Sequence, residues 1–135
     1  MNAKQNYKWN ELTMGTCYYP EHWDESLWRD DLRRMLENGI EVIRIAEFAW
    51  SKIERYEGVF NYDFFDRFLD VAADMGMKVI FCTPTATPPA WLTEKYPEVL
   101  NANMDGVLYR HGGRRHYNYN SPKYQELTRI IVEKS

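Results

Sequence analysis

Cysteine, glycine, positive charge and long apolar runs are all in short supply in this sequence of 135 residues, and each shortage removes a class of function. The two cysteines, Cys17 and Cys82, stand far apart and form no C-x-x-C pair. They fit free buried thiols in a reducing compartment, so a cytoplasmic location is expected. No stretch of about 18 apolar residues exists, so no helix is long enough to span a bilayer and no membrane partner is expected. The opening MNAKQNYKWNEL has no apolar core of the kind a secretory signal needs. Lys and Arg total 17 against 20 Asp and Glu, a net charge of −3, where a duplex-binding protein would carry a basic surplus. No nucleic-acid partner is expected. Among 7 glycines none builds a G-x-G-x-x-G turn or a Walker loop. Where a doubly wound nucleotide binder would place that turn, this chain has TCYYPEHWDE, bulky and without phosphate-cradling glycines.

Aromatic residues are plentiful: 10 Tyr, 6 Phe and 5 Trp, which serve equally as core filler or as a stacking surface. Their spacing, with the other apolar residues, predicts an alternation of strands and helices. Leu12–Tyr19 reads as a strand stopped by Pro20. Asp24 reads as the N-cap of a helix carrying Leu27, Trp28, Leu32, Met35 and Leu36, with Gly39 as its stop. Glu41–Trp50 reads as a buried strand, followed by a loop around Gly58. Phe64, Phe65, Phe68, Leu69, Ala72 and Met75 trace one face of a second helix that Gly76 ends. A third strand opens at Lys78 and is broken by Thr and Pro before Trp91. A polar loop over 101–120 leads to Ser121-Pro122, an N-cap and N1 pair, with Leu127, Ile130 and Ile131 on the inner face of the last helix.

A β-α-β-α-β-α order predicts an α/β fold with right-handed crossovers and a parallel sheet. With the nucleotide-binding variant disfavoured, a (β/α)8 barrel remains. Such a barrel takes roughly 250 residues, so residues 1–135 would hold its first three βα units, apparently truncated. The last helix reaches Ser135 without a stop signal, which fits the amino-terminal portion of a larger catalytic domain.

In a barrel the active site lies at the carboxyl ends of the strands. Those ends carry Tyr18 and Tyr19, then Glu47, then Thr83, Thr85 and Thr87, with Arg114, Arg115 and His116 in the loop beyond. Glu47, set in the apolar run AEFAW, admits two readings: a carboxylate in a ligand pocket, or a buried group paired with Arg44 or Arg114. Arg114 and Arg115 either clamp substrate oxygens or brace their loop. His111 and His116 flank a Gly-Gly pair without further ligand spacing, so no metal is expected. A Cys82–His116 nucleophile pair has no supporting signature. Tyr117 and Tyr119, alternating with Asn118 and Asn120, suit sugar rings and hydroxyls, and loop packing accounts for them as well.

Four stretches, YYPEHW (Tyr18–Trp23), RIAEFAWSKIE (Arg44–Glu54), TPTATPPAWL (Thr83–Leu92) and GGRRHYNYNSPKY (Gly112–Tyr124), together resemble the family 42 β-galactosidases. The resemblance implies a (β/α)8 barrel that hydrolyses terminal β-linked galactose with retention of configuration, without a cofactor, and as a homo-oligomer when complete. It implies that Arg114 matches the family's substrate-contacting arginine. The acid/base and nucleophile glutamates of the family fall at the ends of later strands, beyond Ser135, so no catalytic residue is expected within this chain. Some members carry a zinc-binding cysteine at the position of Asn118, and with Asn there no such zinc is expected. A short, non-catalytic galactoside-binding protein is the alternative, one that keeps the Arg114 loop and has no need of the carboxylate pair.

Overall fold

A computed structural model describes residues 12–135. Three strands, β1 (Met14–Cys17), β2 (Ile40–Ile45) and the later β5 (Lys78–Phe81), form a parallel sheet in the order β1-β2-β5. Strand order follows chain order because each crossover carries a helix that packs back on the same face. These helices are α1 (Trp28–Glu37) and α3 (Asp63–Asp74). Between β2 and α3 lie a single helical turn, α2 (Trp50–Ile53), and a small antiparallel hairpin, β3 (Glu54–Tyr56) with β4 (Val59–Phe60). After β5 come the short helix α4 (Ala90–Lys95) and the closing helix α5 (Pro122–Lys134).

The core lies between the sheet and α1 and α3. Ile43 and Ile45 point into it from β2, and Trp28, Leu32, Phe65, Phe68 and Ala72 meet them from the helices, all buried. Its aromatic packing is mostly edge-on: Trp28 meets Phe64 at 5.2 Å and Phe68 at 5.1 Å between ring centroids, near perpendicular in both cases. That geometry sets a positive ring edge against a negative ring face and adds to the area buried. Tyr18 stacks on Phe68 at 5.7 Å and donates its hydroxyl to Asp31 Oδ2 at 2.8 Å, so its polar tip is satisfied as its ring is buried. Arg44 and its register partner Ile80 are exposed on the opposite face of the sheet.

Local signals account for most boundaries. Asp24 accepts the Ser26 amide at 2.9 Å and opens a 3-10 turn that runs into α1. Ser121 Oγ accepts the Tyr124 amide and Pro122 takes N1 of α5. Gly39 and Gly76 hold φ of +80° and +74° after α1 and α3, where any side chain would be strained. Gly15 is required for a different reason. A Cβ there would meet the Val42 carbonyl oxygen at 2.9 Å, so β1 reaches its spacing from β2 only without a side chain.

The structure corrects four boundaries. The first strand covers Met14–Cys17 rather than Leu12–Tyr19: Tyr18 still donates its amide to the Arg44 carbonyl at 3.0 Å while its ring packs on Phe68, and the chain beyond turns at Pro20 into a 3-10 turn. The second ends at Ile45 rather than Trp50: Ala46 takes φ of 66°, and Trp50 begins a helical turn. The loop around Gly58 is the turn of a hairpin, held by Glu54, whose buried carboxylate accepts Trp50 Nε1 at 2.7 Å and the Gly58 amide at 2.8 Å. On α5 the buried side chains are Tyr124, Leu127 and Ile131, and Ile130 lies off that stripe, exposed.

Candidate active-site cleft

Beyond the carboxyl ends of β2 and β5 lies a cleft of about 580 Å³, within the range of ligand pockets. Three chain segments wall it: Glu47 and Phe48 after β2, Ala86 to Pro88 after β5, and the turn from His111 to Tyr117 with Tyr119. In sequence, Glu47, Thr87, Arg114, Arg115, His116, Tyr117 and Tyr119 lie in three segments spread over more than 70 residues. The fold brings all seven to one hollow.

Each segment is fixed by a local device. Ala46, at φ 66° and fully buried, turns the chain sharply so that Glu47 leaves the sheet toward the cleft. A non-glycine residue in the left-handed region costs roughly 1–2 kcal/mol and persists only where its surroundings impose it. Arg44 Nη2 donates to Glu47 Oε2 at 2.6 Å and lies 3.2 Å from Cys17 Sγ. Glu47 is thus paired, as one reading had it, and with its side chain 28% exposed it also faces the cleft. The pairing with Arg44 is present, but the carboxylate is part-exposed rather than buried.

Opposite, the turn from Gly112 to His116 is pinned at several points. His116 Nδ1 lies 2.6 Å from the Gly113 carbonyl, which requires a proton on Nδ1, while Nε2 has no partner among the described residues. Asn101 Nδ2 donates to the carbonyls of Arg115 and Tyr117 at 3.3 and 2.8 Å. Arg115, at φ 57°, is the second non-glycine residue with positive φ among those described. Arg114 is exposed, and its guanidinium pairs with no described residue. The bracing falls to the backbone around it, and Arg114 is left as an uncommitted cation on the cleft wall.

Two buried polar atoms of the lining, His116 Nε2 and Thr87 Oγ1, have no partner among the described residues. His116 is only 3% exposed. His111, whose ring meets His116 at 5.0 Å and whose Nδ1 lies 2.9 Å from Thr93 Oγ1, has its pKa lowered by burial and by His116. Tyr117 stacks on Tyr124 at 4.8 Å and is a packing residue, its phenol pushed up by burial. Tyr119, 61% exposed, and Phe48 give the cleft aromatic surface.

Other candidates lie elsewhere. Tyr18 is turned into the core, Tyr19 stacks on Phe48 at 5.7 Å outside the lining, and Thr83 is exposed beyond it. Thr85 serves α5 through its carbonyl, which accepts the Tyr124 hydroxyl at 2.9 Å. Cys82 shares no hydrogen bond with His116, and burial pushes its thiol up, away from a ready nucleophile. Among the described residues no three or more His, Cys, Asp or Glu cluster to hold a metal ion. Asn118 Oδ1 accepts the Asn120 amide at 2.9 Å, and a neutral amide committed to a turn is no thiolate ligand, so this position does not fit a zinc. No described helix is long and apolar enough to cross a membrane.

Comparison with known proteins gives this geometry a family. The model of glycoside hydrolase family 42, described as β-galactosidase, matches residues 17–135. The chain belongs to that family. The β-galactosidase BgaA of a Thermus species is 48% identical over 119 residues, which are 88% of this chain and 18% of that protein. The β-galactosidase Bga of Halorubrum lacusprofundi is 42% identical over 123 residues, again 18% of the relative. Among solved structures, the β-galactosidase of the psychrophilic Marinomonas ef1 superimposes with a TM-score of 0.87 at 41% identity, over 91% of this chain and 19% of that one. The chain therefore spans about a fifth of the length of the family 42 relatives it matches, as a mixed α/β fragment of them.

Proposed function

We propose that this chain forms the first three βα units of a (β/α)8 barrel and one wall of the active site of a β-galactosidase that cleaves terminal β-galactosides with retention. The parallel order β1-β2-β5 and the position of the cleft at the strands' carboxyl ends support the barrel. The names of the relatives support the substrate. We further propose that residues 1–135 are one portion of the catalytic domain, and that the complete enzyme acts as a cytoplasmic homo-oligomer.

The single observation that carries the site is Arg114, a guanidinium without a partner among the described residues, held out by a pinned turn into a cleft that also exposes aromatic surface. Galactose offers hydroxyls that accept from such a donor and a ring face that packs on aromatic surface. Retention requires two carboxyls about 5–5.5 Å apart, a nucleophile and a proton shuttle. Glu47 is the one carboxylate on this lining, and one of its oxygens is committed to Arg44. The pair would come from the segments of the enzyme that this chain does not span. The acid protonates the departing oxygen as the nucleophile attacks the anomeric carbon, and water then releases galactose with the first carboxylate acting as base. Arg114 would hold the sugar in register through both steps.

Arg114→Ala in the complete enzyme tests this. Nitrophenyl galactoside hydrolysis should lose about 100-fold in kcat/KM, roughly 2.7 kcal/mol, with thermal unfolding unchanged. A loss under about threefold removes Arg114 from the substrate site. A complete wild-type protein that binds galactose and hydrolyses no galactoside would leave the non-catalytic reading instead.

A further inference from the structure

The acidic group on the cleft wall has a feature that pairing with Arg44 does not explain. Glu47 Oε2 is taken by Arg44 Nη2 at 2.6 Å, while Oε1 receives no hydrogen bond from any described residue. A carboxylate meant only to neutralise Arg44 would do so from the solvent side of the sheet without a strained backbone. Here Ala46 adopts φ 66° at a fully buried site, and the consequence of that turn is the placement of Glu47 among the lining residues. Strain of this kind is retained where the geometry it produces is used.

The surroundings add a second, independent observation. The same lining holds two buried polar atoms without partners among the described residues, His116 Nε2 and Thr87 Oγ1. Leaving such atoms unpaired costs roughly 1–3 kcal/mol each, so the cleft is a place where polar groups wait for a polar occupant. Glu47 offers an acceptor, Arg114 across the lining offers donors, and a polyhydroxylated ring needs both. Each sugar hydroxyl both donates and accepts, so a hydroxyl of a bound ring can donate to the acceptor-only carboxylate of Glu47 while another accepts from the donor-only guanidinium of Arg114, both on this lining.

We propose that Glu47 is a substrate-binding residue: its Oε1 accepts a hydrogen bond from one hydroxyl of the bound galactoside, with Arg44 and the turn at Ala46 holding the carboxylate in place. This rests on the reading of the cleft as a galactoside site. The bond is charge-assisted, shorter and stronger than one between neutral groups. It also gives specificity, because an analogue lacking that hydroxyl leaves a carboxylate oxygen unpaired.

The test uses the complete enzyme with nitrophenyl β-galactoside and its series of monodeoxy analogues. Glu47→Gln, which keeps the shape and removes the charge, should lower kcat/KM on the parent substrate by 10-fold or more. With wild type, one deoxy analogue should lose at least 10-fold relative to the parent, and in E47Q that particular penalty should shrink to under threefold while the other analogues keep theirs. If every deoxy penalty is the same in wild type and variant, Glu47 contacts no hydroxyl and the inference is overturned. If wild type hydrolyses no galactoside at all, the functional reading fails instead, which separates the two. Should E47Q not fold, as judged by circular dichroism and thermal unfolding, the same comparison on Glu47→Asp decides, since shortening the side chain withdraws Oε1 from the ring.

Discussion

On the helix side of the sheet, Ile43, Ile45, Phe65 and Phe68 are sealed from water, and their neighbours add edge-on aromatic contacts. At the carboxyl ends of the same strands the chain does the reverse. Ala46 and Arg115 sit at positive φ, and among the described residues His116 Nε2 and Thr87 Oγ1 are buried without partners and the exposed Arg114 guanidinium pairs with none. A few residues separate the two regions along β2. The first region is settled by packing and edge-on ring contacts; the second leaves polar groups unsettled and relies on the first for its rigidity. The stability of such a fold is invested away from its site, which lets the site hold strain and unpaired polar atoms.

That division can be broken deliberately. Phe68→Ala, in the sealed region, should destabilise the intact enzyme by about 3–5 kcal/mol in urea unfolding, because the ring contacts of Trp28 and Tyr18 are lost together with its own burial. A change under about 1 kcal/mol would mean that this core is not cooperative with the rest. Tyr18→Phe should be smaller, roughly 1–2 kcal/mol, since it removes one hydrogen bond to Asp31 and keeps the ring. The same substitution sharpens the comparison through pH. Burial, then the hydrogen bond to Asp31, raise the Tyr18 phenol above its ordinary value of 10.0. The neutral phenol is therefore favoured in the folded state, so its contribution is complete below pH 10 and is lost as pH rises through the higher folded value. Tyr18→Phe should flatten part of the alkaline decline in the urea midpoint between pH 9 and 11, and an unaltered decline would assign it to other groups such as Tyr117. The smallest effect belongs to the outer surface. Arg29 pairs with Asp74 at 2.7 Å, but both side chains are more than 60% exposed. Arg29→Ala should shift stability by less than about 0.5 kcal/mol, and less still in high salt.

The sealed region is also the legible one. Periodicity marked Phe65, Phe68 and Ala72 as one face because a helix repeats its contacts every 3.6 residues over three turns. Asp24, Gly39, Gly76 and Ser121 could be read as boundaries because capping depends on one residue and its immediate neighbours. The hairpin of β3 and β4, of three and two residues, was too short to show an alternation, and α2 is a single turn. Ala46 gave no warning, since nothing in an alanine announces a positive φ. Arg114 stood out through its motif, whereas the freedom of its guanidinium among the described residues, the unpaired Nε2 of His116 and the placement of the paired Glu47 on the cleft wall arise from contacts across dozens of residues. The one signal for Glu47 was its charge amid AEFAW, and it could not say which partner the charge would meet.

The close approach at Gly15 separates two histories for the glycines of this chain. At Gly39 the requirement is torsional, so an asparagine tolerant of the left-handed region is the natural neighbour in sequence space. At Gly15 the requirement is the bare van der Waals surface between two strands, and any added carbon wedges β1 away from the Val42 carbonyl. Drift among homologous proteins should therefore pass through position 39 and stop at position 15. In this way a single missing methyl group sets the interstrand spacing at the start of β2, and Arg44 and the Glu47 cleft lie farther along that same strand.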